Sequence, residues 1–93
     1  MIYSLEFLPP ALEEWRELPE AVCAQFKRKL RVWCEAPRVP KSQLRGATKR
    51  FKIKLLSLGY RLVYEVDDAT VTVIVVAVGR RDKSLVYKAA QSR

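Results

Sequence analysis

The stretch FKIKLLSLGYRLVY, residues 51–64, sets the fold because its apolar residues recur with a period of two on both sides of a glycine. Such alternation predicts two β-strands joined by a turn, each with one buried and one solvated face. Successive side chains of a strand point to opposite faces, so Lys52 and Lys54 lie together on the face away from the core. Arg61, in the second strand, has the same outward parity. The hairpin therefore presents three cations on one face.

Two helical patterns precede the hairpin. Pro9 and Pro10 end a short β-prone opening, IYSLEF, and start a helix, ALEEWREL, that closes before Pro19. The next segment has apolar residues at spacings of four, four and three, which predicts a buried stripe on a second helix. The stripe consists of Val22, Phe26, Leu30 and Trp33. A turn-rich, basic connector, PRVPKSQLRGATKR, then leads into the hairpin.

A further strand and a last helix follow the hairpin. TVTVIVVAV is apolar on both faces, as expected of a central strand, and Gly79 ends it. Asp82 is the expected N-cap of a short helix, KSLVYKAA, that carries Tyr87. This order predicts an α+β fold, in which a small antiparallel β-sheet packs against an N-terminal helical hairpin, with a short C-terminal helix. With 93 residues, we expect one domain spanning residues 1–93.

Composition argues against several classes of protein. No apolar run approaches the roughly 20 residues that cross a bilayer, and the N-terminus lacks a secretory pattern, so we expect a cytoplasmic protein without a membrane partner. Cys23 and Cys34 fall on one predicted helix about 16 Å apart, too far for a disulfide. The chain has no histidine and two cysteines, so we expect no metal site and no cofactor.

The net charge of +8 is unevenly placed. Five of the ten acidic residues fall in the first twenty positions, where Arg16 is the only base, so the remainder carries about +12. Such a field favours a polyanionic partner. Charge alone does not say whether that partner is nucleic acid, an acidic protein or an anionic membrane surface.

The outward cations of the hairpin are candidates for a functional cluster. Arg80 and Arg81 leave the end of the central strand, and Tyr87 follows about two helical turns later. The predicted cluster is Lys52, Lys54, Arg61, Arg81 and Tyr87. A solvated sheet face that merely keeps the protein soluble explains the pattern about as well. Repulsion favours a site, since Glu65 is the one acidic residue at a nearby outward position and several cations on one face destabilise it unless an anion binds.

RNA cleavage fits such a face. A phosphodiester in RNA carries its own nucleophile, the 2′-hydroxyl, and the reaction concentrates negative charge on the phosphoryl oxygens. Arginines directed at those oxygens stabilise this charge. A lysine among other cations has a lowered pKa and is a credible general base, whereas arginine stays protonated. The pattern leaves open which lysine takes the proton.

Four segments of the chain resemble the RelE toxins of bacterial and archaeal toxin–antitoxin pairs. They are ALEEWREL, LRG at residues 44–46, FKIKLLSLGYRLVYEV and VTVIVVAVGRRDKSLVY. The resemblance implies a ribosome-dependent endoribonuclease that needs no metal, cuts messenger RNA in the A site by 2′-hydroxyl attack and inhibits translation. It also implies a RelB-like antitoxin as partner, and operator DNA bound only through the antitoxin complex.

The resemblance also implies individual roles. Lys52 and Lys54 match the base and the charge-stabilising lysine, and Arg61 matches the arginine that stabilises the transition state. Arg81 matches a charge stabiliser and proton donor to the leaving 5′-oxygen, and Tyr87 matches the tyrosine that stacks on and orients the substrate. Contacts with messenger or ribosomal RNA are expected from the remaining bases. These are Arg45, Lys27, Arg28, Lys29, Arg31 and Arg80.

Two other functions remain open from the sequence. One is a ParE-like toxin on the same fold that binds DNA gyrase, and the other is a non-catalytic RNA-binding module. Neither needs Lys52, Lys54, Arg61, Arg81 and Tyr87 together. The basic run on the second helix is also explained by an ordinary solvated helix face.

Overall fold

The computed structural model describes residues 2–44, 49–55, 58–80 and 85–93. Its elements in chain order are β1 (Ser4–Phe7), α1 (Pro9–Arg16), α2 (Glu20–Trp33), a short 3₁₀ helix (Pro40–Ser42), β2 (Arg50–Leu55), β3 (Tyr60–Asp67), β4 (Thr72–Arg80) and α3 (Leu85–Gln91). The predicted α+β fold and its element order are confirmed. The described helices include none long and apolar enough to span a bilayer.

The four strands form one sheet in the order β1-β4-β3-β2. Strands β2, β3 and β4 pair antiparallel, as the hairpin pattern predicts. The first strand differs from the expectation of a purely antiparallel sheet, because β1 pairs parallel to β4, from Ser4 opposite Thr72 to Phe7 opposite Val75. The intervening helices and hairpin return the chain to the end of the sheet where β1 began, which is the kind of long connection that parallel pairing requires.

Helices α1 and α2 cover one face of the sheet. Val22, Phe26 and Leu30 are buried as the periodicity predicts. Trp33, the fourth member of the predicted stripe, is only half-buried, because Cys34 continues the spacing of four and takes the buried position. From the sheet, the inward residues of β2 and β3 complete this core. They are Phe51, Ile53, Leu55, Leu62, Tyr64 and Val66.

A β-bulge between β3 and β4 gives the central strand its two apolar faces. Val63 pairs with Ala77 and Tyr64 pairs with Val75, so Val76 is an extra residue between them. The extra residue shifts the alternation, and Val76 and Ala77 both join the apolar cluster on the face away from α1 and α2. The strand also runs one residue past Gly79, its predicted end.

Helix α3 lies on that second face, a placement that the sequence left unassigned. Val86 and Ala90 are its buried residues, and they pack on the short cluster formed by Val63, Val76 and Ala77. A Cβ built on Gly79 would lie 3.4 Å from Val86 Cγ2, at ordinary van der Waals contact, so the helix packs close to the strand here. The predicted N-cap, Asp82, lies outside the described residues.

Two arginines hold α3 in place by hydrogen bonds, where the helix buries few apolar side chains. Arg50 donates to the Ala90 carbonyl oxygen and pairs with Glu65 at 3.1 Å. Arg93, just past the helix, donates to both carboxylate oxygens of Glu14, at 2.8 and 3.2 Å, and to the Val76 carbonyl oxygen at 3.0 Å. Helix α3 is therefore tied to the sheet edge at β2 and to α1.

Candidate RNA-cleavage site

The second face of the sheet gathers the predicted cations. Lys54 of β2 lies directly opposite Arg61 of β3, and Lys52 lies two residues along β2, opposite Val63. All three side chains point away from the α1–α2 core because the inward positions belong to their apolar neighbours. We call Lys52, Lys54 and Arg61, together with Tyr87, the cationic face.

Tyr87 completes this face from α3. The ring is half-buried, and Lys52 Nζ lies 6.0 Å from its centroid, at the outer limit of a cation–π contact. Helix α3 thus places the Tyr87 ring next to Lys52, at one end of the Lys52–Lys54 pair. The sequence placed Tyr87 on a helix near the strand end, and the register of α3 on the sheet brings it into contact range.

The Tyr87 hydroxyl and the Arg61 guanidinium interact electrostatically. Burial raises the pKa of Tyr87, and the positive charge of Arg61 opposes that rise. Nevertheless Tyr87 Oη and Arg61 Nη1 are both buried and make no hydrogen bond of ordinary geometry in the described part of the chain. Such groups are costly in a folded protein and are ready to bind a ligand.

Lys54 has a lowered pKa on this face. The main cause is the charge of Lys52, followed by partial burial and the charge of Arg61. A lower pKa increases the fraction of neutral amine near neutral pH, which is the form that accepts a proton. Lys54 is therefore a candidate for the general base on this face.

Glu65 does not neutralise the cationic face. Its carboxylate pairs with Arg50, the outward residue at the other end of the β2–β3 ladder. The other ion pairs among the described residues are Arg38 with Asp68 and Arg93 with Glu14. None of the three uses Lys52, Lys54 or Arg61, so in that part of the chain the cations keep their charge for a ligand.

The remaining predicted site residues fall into three groups. Arg81 and Arg45 lie outside the described residues. Arg80, the last residue of β4, is exposed and pairs with Tyr60 across the sheet. The four bases of α2 are all exposed. They are Lys27, Arg28, Lys29 and Arg31, and they flank the stripe rather than share one side, since Lys29 borders β2 and both Lys27 and Arg31 border Leu30.

A groove beside the cationic face contains residues that the sequence did not single out for function. It has a volume of about 300 Å³ and is lined by Lys29, Trp33, Lys41, Ser42, Lys52, Ile53 and Lys54. Trp33 belonged to a predicted core stripe and Lys41 to a structureless connector. The one signal was the spacing of three before Trp33, which displaces it from the line of the stripe.

The described residues do not form a metal-binding site. Among the described residues, no group of three or more histidine, cysteine, aspartate or glutamate side chains is arranged to hold a metal ion. Cys23 and Cys34 are free thiols. What the arrangement offers instead is concentrated positive charge, one activated amine and an aromatic surface, which suit a phosphodiester next to an unstacked base.

Comparison with known proteins gives a consistent family. Residues 5–85 match the family described as ParE toxin of type II toxin-antitoxin system, parDE. The mRNA interferase toxin RelE of Escherichia coli strain K12 is 48% identical over 93 residues, which are 100% of this chain and 98% of that protein. Both similarities run through nearly the whole chain.

Solved structures agree with the sequence comparison. One match is a mutant of the E. coli toxin RelE in the free state, in which two arginines are replaced by alanine. It matches with a TM-score of 0.92 at 47% identity, covering 100% of this chain and 98% of that one. A chain of the intact E. coli RelBE toxin–antitoxin complex matches with a TM-score of 0.83 at 47% identity, covering 87% of this chain and 99% of that one. The fold and the sequence therefore point to the same group of toxins.

Proposed function

The chain belongs to the RelE/ParE superfamily of toxins from type II toxin–antitoxin systems, and from that premise we propose that it is a RelE-type endoribonuclease. Its substrate is messenger RNA in the ribosomal A site, and its cleavage inhibits translation. The proposal rests above all on the cationic face, where Lys52, Lys54 and Arg61 meet under Tyr87 without an ion-paired carboxylate in the described residues.

The reaction is an attack by the RNA's own 2′-hydroxyl. The O2′ proton passes to a neutral lysine while a bond forms between O2′ and phosphorus. The P–O5′ bond breaks, and the leaving oxygen takes a proton. The products are a 2′,3′-cyclic phosphate on one fragment and a 5′-hydroxyl on the other, and no metal or cofactor is consumed or required.

Lys54 is the general base in this proposal. Its lowered pKa, caused first by Lys52, supports that assignment. Lys52 and Arg61 stabilise the developing charge on the phosphoryl oxygens. Arg81 is assigned to the leaving 5′-oxygen on the family resemblance.

Tyr87 positions the substrate. Its half-buried ring above Lys52 is placed to stack on an unstacked base, and such stacking orients the 2′-hydroxyl beside it. Burial raises the pKa of Tyr87, which favours the protonated hydroxyl.

The cellular setting follows from the family. We assign the protein to the cytoplasm, as one domain over residues 1–93, with the ribosome and messenger RNA as its targets. Its partner is a RelB-like antitoxin, as RelE has in the RelBE toxin–antitoxin complex. Operator DNA is bound only through that complex. Arg45, Arg80 and the four bases of α2 contribute RNA contacts.

The proposal is tested with purified toxin, ribosomes programmed with a defined messenger RNA, and mapping of the RNA ends. We expect cleavage in the A-site codon, and no cleavage of the same RNA without ribosomes. In parallel, purified gyrase is assayed for supercoiling in the presence of toxin. Intact messenger RNA together with inhibited gyrase would replace this proposal by the ParE-like function that the family match also permits.

A further inference from the structure

Beside the cationic face lies a groove lined by Lys29, Trp33, Lys41, Ser42, Lys52, Ile53 and Lys54. Its residues Trp33, Lys41 and Ser42 have no role in the mechanism above. We propose that this tryptophan groove binds the nucleotide next to the cleaved phosphodiester, with its base on the Trp33 ring and its phosphate between Lys29 and Lys41. The inference rests on the proposed function, because it assigns a second subsite to the same RNA substrate.

The position of the groove favours a continuation of the substrate path. Strand β2 is the outer strand of the sheet, and its residue Phe51 forms a single β-bridge with Gln43 of the connector. Beyond this bridge, the groove lies between β2 and α2. Lys52 and Lys54 belong both to the cationic face and to the groove wall. An RNA strand held by these lysines therefore enters the groove without crossing another element.

The positive charge of the groove favours an anionic ligand. Four of its seven lining residues are lysines, contributed by α2, the 3₁₀ helix and β2, and none of the seven is acidic. Lys29 and Lys41 are exposed, so their ammonium groups are free to reach a phosphate. A neutral ligand would leave this charge uncompensated, whereas a nucleotide supplies one phosphate per residue.

Trp33 supplies an aromatic surface for the base. It is half-buried and also borders a second groove, of about 310 Å³, formed with Arg28, Lys29 and Val32. Its Nε1 is buried and finds no acceptor among the described residues, although a buried tryptophan usually pairs this donor. Trp33 also packs against the core cluster under α1 and α2, which holds the ring in place, and its remaining exposed surface is available to a base.

Stacking makes the expected specificity modest. Every base has a π-face, so the groove accepts all four nucleotides and prefers those that stack most strongly. Loss of the ring therefore weakens binding of the flanking nucleotide without disabling the base at Lys54. The defect falls mainly on KM and leaves kcat near its original value.

The first test uses the fluorescence of Trp33. The probe is a short single-stranded RNA with a 2′-deoxy sugar at the cleavage position, so that it binds without being cut. We expect quenching of the tryptophan emission in the wild-type protein and its loss in Trp33→Phe, where the partly buried Trp15 is the only tryptophan left. An abasic residue at the flanking position should abolish the quenching, and unchanged quenching with that probe would overturn the proposal.

The second test measures cleavage on programmed ribosomes. We expect kcat/KM to fall about tenfold in Trp33→Ala and several-fold in Lys41→Ala, while Trp33→Phe keeps most of the activity. Arg16→Ala, which removes an exposed cation at the end of α1, is the matched control and should be unchanged.

The outcomes separate this inference from the proposed function. Normal cleavage by both Trp33→Ala and Lys41→Ala would overturn the groove while leaving the ribonuclease intact. Quenching without cleavage by the wild-type protein would refute the function and support the groove as an RNA site. Weaker binding of Trp33→Ala to ribosomes with an empty A site would assign the ring to ribosomal RNA and overturn the proposal.

Discussion

The two faces of the sheet differ in what holds them. On one face, α1 and α2 bury large side chains, including Phe26, Leu30 and Tyr64, in one continuous cluster. On the other, α3 covers a short cluster with Val86 and Ala90 and depends on arginine contacts at its end. Stability is thus concentrated on the first face, and the second is free to carry unneutralised cations.

This division has a physical reason. Burying a large apolar side chain contributes roughly 1.5–3 kcal/mol, whereas like charges on one face destabilise the fold. A seven-residue helix is also too short to be stable alone. The first face therefore supplies the free energy that lets the second keep Lys52, Lys54 and Arg61 together.

The largest expected effect is on the first face. Phe26→Ala should lower the free energy of unfolding by about 3–5 kcal/mol, because the side chain is fully buried between helix and sheet. Val86→Ala, on the buried side of α3, should lower the free energy of unfolding by about 2 kcal/mol by the same reasoning. Denaturant titration measures both. An equal loss in the two variants would remove the contrast between the faces.

Arg61→Ala should separate activity from stability. Removing one donor directed at the phosphoryl oxygens should slow cleavage about 10²- to 10³-fold. Stability should change little, since the variant relieves repulsion with Lys54 but also loses the contact between Arg61 and Tyr87. Single-turnover cleavage and thermal unfolding of the same preparation give both values. A clear loss of stability would mean that Arg61 serves the fold.

Arg93→Ala should loosen α3 locally. The arginine forms two hydrogen bonds with the partly buried carboxylate of Glu14, and their loss should lower the free energy of opening α3 by about 1–2 kcal/mol. Hydrogen exchange of the α3 amides reports this opening. Arg38→Ala is the control, because it removes an exposed ion pair with Asp68 in which α3 takes no part. Equal exchange in both variants would contradict the role of Arg93.

The pH dependence of cleavage tests the base. Neutral Lys54 is the reactive form, so the rate should rise with pH as this lysine loses its proton at its lowered pKa. Lys52→Met removes the main cause of that lowering, so the pKa of Lys54 should increase and the rise should move to higher pH. Lys88→Met, at an exposed position on α3, should leave the profile in place. An unmoved profile in Lys52→Met would exclude Lys54 as the base.

The sequence predicted the fold where one pattern determined one face. The alternation of Phe51, Ile53 and Leu55 fixed the parity of β2, and the stripe from Val22 to Leu30 fixed the buried side of α2. It did not predict the parallel pairing of β1, the extra residue Val76 or the docking of α3. These features depend on contacts between segments distant in the chain, which local periodicity does not encode.

The candidate site likewise has features that the sequence predicted and features that it did not. Parity placed Lys52, Lys54 and Arg61 on one face, because adjacent strands share their alternation. It did not indicate that Glu65 pairs with Arg50 rather than with a lysine, nor that Trp33 and Lys41 meet beside β2. Those arrangements follow from the register of the hairpin and from the path of the connector. The assignment of a separate role to each residue came from the family resemblance.

The central claim is that the cationic face cleaves RNA through the substrate's own 2′-hydroxyl. Its most direct test compares two messenger RNAs on programmed ribosomes, identical except for a 2′-deoxy sugar at the mapped cleavage position. We expect the all-ribose message to be cut to a 2′,3′-cyclic phosphate and the substituted message to stay intact. Cleavage of both messages at the same position would contradict it.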